Sequence, residues 1–208
     1  MTYLPPLEEL DADGAIREGA ESVDGNTRAD FLRRAGLGAG AVIGSGAILG
    51  ALPAVASAGV SPSDIAILNF ALTLEYLEAA FYAEAVSKGK LSGETAKFAE
   101  VVAAHERAHV AFLKGTLGAK AVKKPRFNFR DTTSDQAKFR ATAKTLEDTG
   151  VAAYLGQVGN IRSKAVLKAA GSILPIEARH AAWIRDIIGS GNGPSPAPRA
   201  FEGARTKG

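Results

Sequence analysis

The stretch LEYLEAAFY at residues 74–82 is followed, 31 residues after its first glutamate, by ERAH at residues 106–109. The same order returns farther along the chain as LEDTGVAAY at residues 146–154 and, 30 residues after its glutamate, EARH at residues 177–180. Each copy contains a glutamate, a tyrosine and a Glu-x-x-His pair, in that order. Two such half-sites supply the carboxylates and imidazoles with which a four-helix bundle holds a pair of metal ions. The repeat therefore predicts a fold and a metal site together.

The composition of the chain narrows the chemistry of this site. With 208 residues, of which 46% are hydrophobic and 23% charged, the chain is long enough for one globular domain with a full core. It contains no cysteine, which excludes disulfides, thiolate zinc sites, iron–sulfur clusters and cysteine nucleophiles. Only oxygen and imidazole ligands remain for a metal, and these favour the harder ions.

Helix start and stop signals divide the chain after residue 59 into four helical segments. We place them at residues 62–88, 92–117, 134–157 and 161–188. Ser134 is the expected cap of the third segment, and Pro175 is expected to kink or open the fourth. The loop at residues 119–133 is too long for a tight turn but suits a crossover between two helix pairs. We therefore predict an all-α four-helix bundle with a long crossover between helices two and three.

The two ends of the chain differ from this central part. Residues 1–58 contain TRADFLRR at 27–34, a Gly/Ala-rich apolar run and an Ala-x-Ala pattern, which together resemble a twin-arginine export signal. This signal is degenerate, because position 29 is alanine and the intact arginine pair follows Phe31-Leu32. An export signal places the protein in the periplasm, the cell envelope or outside the cell; an uncleaved anchor and a cytoplasmic disordered tail are the alternatives. After the bundle, at residues 59–188, we predict a disordered Gly/Pro-rich tail at residues 189–208.

Helical geometry places the repeated residues on shared faces. Residues three apart differ by about 60° around a helix axis, and residues seven apart differ by about 20°. The pairs that share a face are Glu75 with Tyr82, Glu106 with His109, Glu147 with Tyr154 and Glu177 with His180. All four faces also carry apolar stripes, where a lone ionised carboxylate is costly. Two divalent cations are the simplest compensation for four converging carboxylates.

This pattern resembles that of the ferritin-like di-iron and di-manganese carboxylate proteins, in which two helices each contribute one Glu and the other two each contribute Glu-x-x-His. The resemblance implies a ferritin-like fold and a catalytic centre of two iron or manganese ions. It implies terminal carboxylate ligands at Glu75 and Glu147, bridging carboxylates at Glu106 and Glu177, and imidazole ligands at His109 and His180. Tyr82 and Tyr154 are implied as hydrogen-bond partners of these ligands.

The segments LNFALTLEYLEAAFY at 68–82 and LPIEARHAAWI at 174–184 resemble an exported branch of this family that includes desiccation- and stress-related members. That resemblance implies stress protection through oxygen or peroxide chemistry, by a ferroxidase or a peroxide-consuming enzyme. The alternative is a non-catalytic envelope bundle that sequesters metal or has a structural role. We expect no nucleic-acid partner, because no motif supports one. A homo-oligomer is left open, and membrane attachment follows only if the leader is retained.

Helix two also contains HERAH at residues 105–109, which satisfies the His-Glu-x-x-His signature of zinc proteases. A zinc protease needs a third ligand and a substrate cleft, for which the sequence shows no candidate, and it leaves most of the repeat without a role. We therefore place His105 outside the ligand set, either as a neighbour of the ligands or, more commonly for such a residue, as a packed or surface histidine. Glu78 follows Glu75 by three residues, but its counterpart in the repeat is Gly150, so we expect it to line a cavity or an interface.

Overall fold

The computed structural model describes residues 60–189 and 196–204, and within these ranges the chain is a bundle of four helices without strands. The helices are α1, Pro62–Lys88; α2, Gly93–Leu117; α3, Gln136–Val158; and α4, Lys164–Gly189. A short 3₁₀ helix, Gly118–Lys120, follows α2 directly. The predicted all-α four-helix fold is confirmed. The predicted leader and export signal at residues 1–58 lie outside the described residues, as does part of the predicted tail.

Local capping sets the bounds of the first two helices where the sequence predicts them. Ser61 caps α1 through its Oγ, which accepts a hydrogen bond from Asp64 N at 3.1 Å. Gly89 ends α1 in the left-handed conformation, with a φ of 58°, which glycine adopts without a Cβ clash. Ser92 precedes α2 and Gly118 follows it, as expected.

The start of α3 differs from the prediction. Asp135, and not Ser134, caps this helix, because its carboxylate accepts hydrogen bonds from Ala137 N at 2.9 Å and from Lys138 N at 3.0 Å. An aspartate at this position satisfies two free backbone donors and also places a negative charge at the positive end of the helix dipole. The helix consequently begins at Gln136.

The start of α4 also differs, because the backbone just before it is used in another contact. Arg162 N and Ser163 N donate to the buried carboxylate of Asp64 at 3.0 and 2.9 Å, which joins the start of α4 to the start of α1. The helix therefore begins at Lys164 instead of residue 161. It then runs through Pro175 without a break, although proline donates no backbone hydrogen bond, so the expected opening does not interrupt α4.

The segment between α2 and α3 runs along the side of α1. Asn69, near the start of α1, donates through Nδ2 to Lys120 O at 3.0 Å and accepts a hydrogen bond from Val122 N at 2.8 Å. Near the other end of α1, Lys88 Nζ donates to Thr133 Oγ1 at 2.7 Å. The segment thus travels along most of α1, and α2 and α3 run in the same direction, as a crossover connection requires.

The core consists of two hydrophobic clusters that lie on either side of the repeated glutamates. The first cluster includes Leu72, Leu113, Tyr154 and Ile173. The second cluster includes Phe81, Val102, Ala143 and Ile184. On each helix the repeated glutamate lies in sequence between residues of one cluster and residues of the other. The fold therefore surrounds a polar centre with apolar side chains from both ends of the bundle.

Candidate metal centre

The structure brings the six predicted ligands together between the two clusters. Two groups of side chains each have ligand atoms within 4.8 Å of one another, and each can hold a metal ion. The group that we call the His109 half-site consists of Glu75, Glu106, His109 and Glu177. The group that we call the His180 half-site consists of Glu106, Glu147, Glu177 and His180. Because Glu106 and Glu177 belong to both half-sites, each of them can bridge two ions.

In the His109 half-site, one nitrogen faces three carboxylates. His109 Nδ1 lies 3.1 Å from Glu106 Oε2, 3.2 Å from Glu75 Oε2 and 3.2 Å from Glu177 Oε1. A single ring N–H cannot donate well to three acceptors at once. Adjacent ligands of an octahedral ion, each at about 2.1 Å from it, lie about 3.0 Å apart. The observed distances therefore suit an imidazole and three carboxylates around one common ion.

The His180 half-site repeats this arrangement with the other copy of the motif. His180 Nδ1 lies 3.2 Å from Glu147 Oε2 and 3.2 Å from Glu106 Oε1. In both half-sites the nitrogen that faces the carboxylates is Nδ1. The two histidines therefore present the same atom to the centre, as the repeat in the sequence leads us to expect.

Three buried oxygens of the centre have no hydrogen-bond partner. These are Glu106 Oε1 and both carboxylate oxygens of Glu177. Histidine nitrogens lie 3.2 Å from Glu106 Oε1 and from Glu177 Oε1, but neither ring is oriented to donate to these atoms. Both glutamates are fully buried, where an unpartnered carboxylate is costly. A pair of divalent cations would satisfy these oxygens, so the residues present fit a dinuclear metal centre.

Two buried tyrosines connect the half-sites across the bundle. Tyr82 on α1 donates its hydroxyl to Glu147 Oε1 on α3, and Tyr154 on α3 donates to Glu75 Oε1 on α1. Each tyrosine shares a helix face with the glutamate of its own copy but hydrogen-bonds the glutamate of the other copy. Burial and the neighbouring carboxylate raise the pKa of both tyrosines, so they stay protonated and remain donors.

When no ion is bound, the two glutamates that both half-sites share hold protons more tightly than ordinary carboxylic acids do. Burial and the charge of neighbouring glutamates raise the pKa of Glu106 and Glu177. Burial opposes the protonation of His109, but the three neighbouring carboxylates, Glu106 first, outweigh it and raise the pKa of this histidine. Burial raises the pKa of Glu75, but the hydrogen bond and the charge of His109 outweigh it, and the pKa lies below its ordinary value. Metal binding must displace these protons.

Glu78 lies beside the centre but belongs to neither metal-binding group of the described residues. It is 3% exposed, and burial together with the charges of nearby glutamates, Glu177 first, raises its pKa well above the ordinary value. A Cβ at Gly150 would lie 3.0 Å from Glu177 Oε2 and 3.3 Å from Glu78 Oε1. Because Gly150 has no side chain, the carboxylates of Glu177 and Glu78 can occupy the space beside it. Glu78 therefore lies in the core and not at an interface.

His105 contacts the candidate ligand His180, which agrees with the expectation of a neighbour of the ligands and not with that of a surface histidine. Its Nδ1 lies 2.8 Å from His180 Nε2, and the two rings lie edge to edge and nearly coplanar, with centroids 5.1 Å apart and 17° between their planes. Burial, together with the charges of His180 and His109, lowers the pKa of His105 to about 4, so its ring is neutral at neutral pH. The signal in the sequence was its position directly before Glu106.

The zinc-protease interpretation finds no support in this geometry. It requires His105 and His109 to bind the same ion. His105 is a member of neither metal-binding group among residues 60–189 and 196–204, and it directs its Nδ1 to His180. The glutamate between the two histidines, Glu106, is shared by both half-sites and is not placed as the free base of a protease.

Comparison with known proteins agrees with the fold. The sequence model of one protein family, the ferritin-like domain, matches residues 63–190. This range spans nearly all of the four helices and includes all six candidate ligands. It covers more than half of the 208 residues. No curated protein matches the chain.

Proposed function

The chain belongs to the ferritin-like domain family, and on that premise we propose that it binds two iron or manganese ions and uses them in redox chemistry with oxygen or peroxide. The observation that carries this proposal is the pair of overlapping metal-binding groups that share Glu106 and Glu177. Four buried carboxylates bring together negative charges that a pair of divalent cations neutralises.

The donor set supports the choice of metal. Carboxylate oxygens and imidazole nitrogens suit iron and manganese, and the chain has no cysteine to favour a thiolate metal site. When bound, iron or manganese supplies the change of oxidation state that a ferroxidase or a peroxide-consuming enzyme needs.

The protein's own side chains hold and orient the ligands. Tyr82 donates to Oε1 of Glu147 and Tyr154 donates to Oε1 of Glu75, which leaves Oε2 of each glutamate directed toward its histidine. Hydrogen bonds of this kind hold a metal ligand in one orientation. The two hydrophobic clusters limit the access of water, and electrostatic interactions in such a site are stronger than in water.

We also propose that the protein is exported and acts in stress protection. Support comes from the resemblance of residues 1–58 to a twin-arginine signal and of two helical segments to exported members of the family. Among the described residues, α1 is the helix that is long and apolar enough to cross a membrane. Its buried face contains Glu75 and Glu78, which are costly in lipid, so we assign α1 to the bundle core.

Cell fractionation tests the export proposal. In cells that express the full chain, we expect the protein outside the cytoplasm, and we expect a variant with Arg33→Lys and Arg34→Lys to stay inside. Export that does not depend on this arginine pair would contradict the twin-arginine interpretation.

Metal analysis of protein purified without chelator tests the centre. We expect two iron or manganese ions per chain, and we expect the loaded protein to consume oxygen or peroxide. Glu106→Gln keeps the volume of the side chain but removes a ligand that both half-sites share, so it should lose both ions and the activity. Glu100→Gln on the same helix, at an exposed position, is the matched control and should keep them.

The outcomes separate the parts of the proposal. If wild-type protein takes up no metal, the dinuclear centre is wrong. If it holds two ions in the predicted residues but consumes neither oxygen nor peroxide, the enzymatic part is wrong, and metal sequestration is the better description. Circular dichroism of each variant checks that a loss of metal is not a loss of fold.

A further inference from the structure

The two half-sites differ in what the outer nitrogen of each histidine contacts. His180 Nε2 lies 2.8 Å from His105 Nδ1, and the two rings lie edge to edge and nearly coplanar, so the hydrogen bond lies in the ring planes. His109 Nε2 has no hydrogen-bond partner among the described residues. By the repeat, the position equivalent to His105 is Ile176, directly before Glu177, and an isoleucine offers no hydrogen bond. The contact is therefore present in one half-site only.

The direction of this hydrogen bond follows from metal binding. A neutral imidazole carries one N–H, and a ring nitrogen that binds a metal carries none. If His180 binds its ion through Nδ1, the atom that faces Glu147 and Glu106, its proton must be on Nε2. His180 is then the donor, and His105 Nδ1 is the acceptor. His105 must in turn carry its own proton on Nε2.

Such a contact has a known physical effect on a metal ligand. A histidine whose second nitrogen donates to a neighbouring acceptor is held in one tautomer and one ring orientation, and its metal-binding nitrogen becomes more basic. Loss of such a partner typically weakens metal affinity by roughly 10–100-fold.

We propose that His105 is a positioning residue that holds His180 with Nδ1 toward the centre, so that the His180 half-site binds its ion more tightly than the His109 half-site. This inference rests on the proposed dinuclear centre. The two ions are then bound with unequal affinities, although the motif that supplies their ligands is repeated in the sequence.

A titration with Co(II) tests the inference. The full chain is stripped with a chelator and titrated with Co(II), while visible absorption reports each ion that binds. We expect two equivalents in two steps for wild type. In His105→Phe, which keeps an aromatic ring but has no acceptor, we expect the tighter step to weaken by roughly 10–100-fold. Glu147→Gln, which lies in the His180 half-site alone, should affect the same step.

Two further variants separate the hydrogen bond from general packing. In His105→Asn the side-chain Oδ1 can take the position of the histidine Nδ1, so we expect this variant to retain most of the tighter step without an aromatic ring. Ile176→Ala changes the equivalent position of the other half-site, and both steps should stay as in wild type. If the tighter step weakens as much in His105→Asn as in His105→Phe, His105 does not act through the hydrogen bond.

A measurement on wild-type protein does not depend on the folding of any variant. In the Zn(II)-loaded protein, ¹⁵N NMR of histidine side chains should show the His180 proton on Nε2, hydrogen-bonded and protected from exchange. A His180 proton on Nδ1 would overturn the inference.

The same titration separates the two proposals. If wild type binds no Co(II), the dinuclear centre fails and the positioning role fails with it. If wild type binds two equivalents and His105→Phe leaves both steps unchanged, only the positioning role fails.

Discussion

The His109 and His180 half-sites contain the same ligand types, one histidine and three glutamates, but their surroundings differ. The His180 side chain is 3% exposed and contacts His105, whereas the His109 side chain is 12% exposed. The comparison shows that a repeated motif specifies the ligands of each half-site and leaves their neighbours free to differ. Two equal motifs can therefore form a centre with two unequal halves.

A second difference concerns Glu78 and its counterpart in the repeat, Gly150. Glu78 on α1 brings an additional buried carboxylate to the centre, and Gly150 on α3 leaves the space beside it. Both additional polar residues, Glu78 and His105, belong to the first copy of the motif. At the same positions the second copy has Gly150 and Ile176, which are small or apolar. Because the polar residues of one copy correspond to small or apolar residues of the other, the two copies can pack around one centre.

The largest effect should come from the residues that the half-sites share. Glu177→Gln removes a ligand from both half-sites, so we expect both ions to be lost. Glu147→Gln removes a ligand from the His180 half-site alone, and we expect one of the two ions to remain. Metal content after gel filtration measures both variants. If the two variants lose the same amount of metal, Glu177 is not a shared ligand.

The dependence of metal-induced stability on pH should be the next largest effect. The pKa values of Glu106 and Glu177 are raised in the folded protein, so between the ordinary value of 4.5 and the folded pKa the native state holds protons that the unfolded chain has lost. Stability without metal therefore falls as pH rises through this window. Metal binding needs the ionised carboxylates, so the stabilisation by metal should grow over the same window.

Thermal melts with Mn(II) and with chelator, from about pH 5 to about pH 8, check this prediction. The difference in melting temperature between the two conditions should increase with pH. A difference that stays constant across the range would contradict the assignment of these glutamates as ligands with raised pKa values.

The crosswise tyrosine contacts should have a smaller effect that is separate for each half-site. Tyr82→Phe removes the donor to Glu147 and should weaken the His180 half-site, whereas Tyr154→Phe removes the donor to Glu75 and should weaken the His109 half-site. We expect the metal affinity of the affected half-site to fall by roughly 10–100-fold in each case. The aromatic rings stay in the core, so the packing should not change.

Co(II) titration distinguishes the two steps. Tyr76→Phe is the control, because this hydroxyl donates to Val122 O at 3.4 Å and contacts no candidate ligand. If Tyr82→Phe and Tyr154→Phe weaken the same step, the crosswise pairing is wrong.

The smallest effect should come from Gly150. Glycine in a helix is less favourable than alanine by about 1 kcal/mol, so Gly171→Ala, where nothing lies within 4 Å of the new Cβ, should raise the free energy of unfolding by up to that amount. Gly150→Ala should raise the free energy of unfolding by less, because its new Cβ would press on Glu177 Oε2. The same variant should lower metal affinity by up to about tenfold. Chemical denaturation and Co(II) titration measure both. Equal behaviour of the two variants would show that Gly150 has no role beside the centre.

The helix bounds show which part of the fold local sequence predicts. Ser61 and Gly89 act on the helix next to them, and α1 has the predicted ends. The prediction was wrong at α4, whose first turn depends on Asp64, 98 residues away from Arg162. At α3 the predicted cap was Ser134, but the cap is Asp135, whose carboxylate accepts two backbone hydrogen bonds.

The candidate site divides in the same way. The six ligands could be named in advance, because the spacings within Glu-x-x-His and between each glutamate and its tyrosine are short and fix which residues share a helix face. The structure brings these six residues together, and their roles as metal ligands stay predictions. Which ligand each neighbouring side chain contacts could not be predicted, because the contacts Tyr82–Glu147, His105–His180 and Tyr154–Glu75 join residues 65, 75 and 79 positions apart.

By itself, the sequence determined the helical content, the crossover and the two copies of the ligand motif, because these follow from periodicity and spacing within single helices. Only the tertiary structure decided that the tyrosines cross between copies, that His105 contacts His180, and that Glu78 lies in the space beside Gly150. The physical reason is that the rotation and the axial offset of one helix against another depend on how all their side chains pack, which no local pattern encodes.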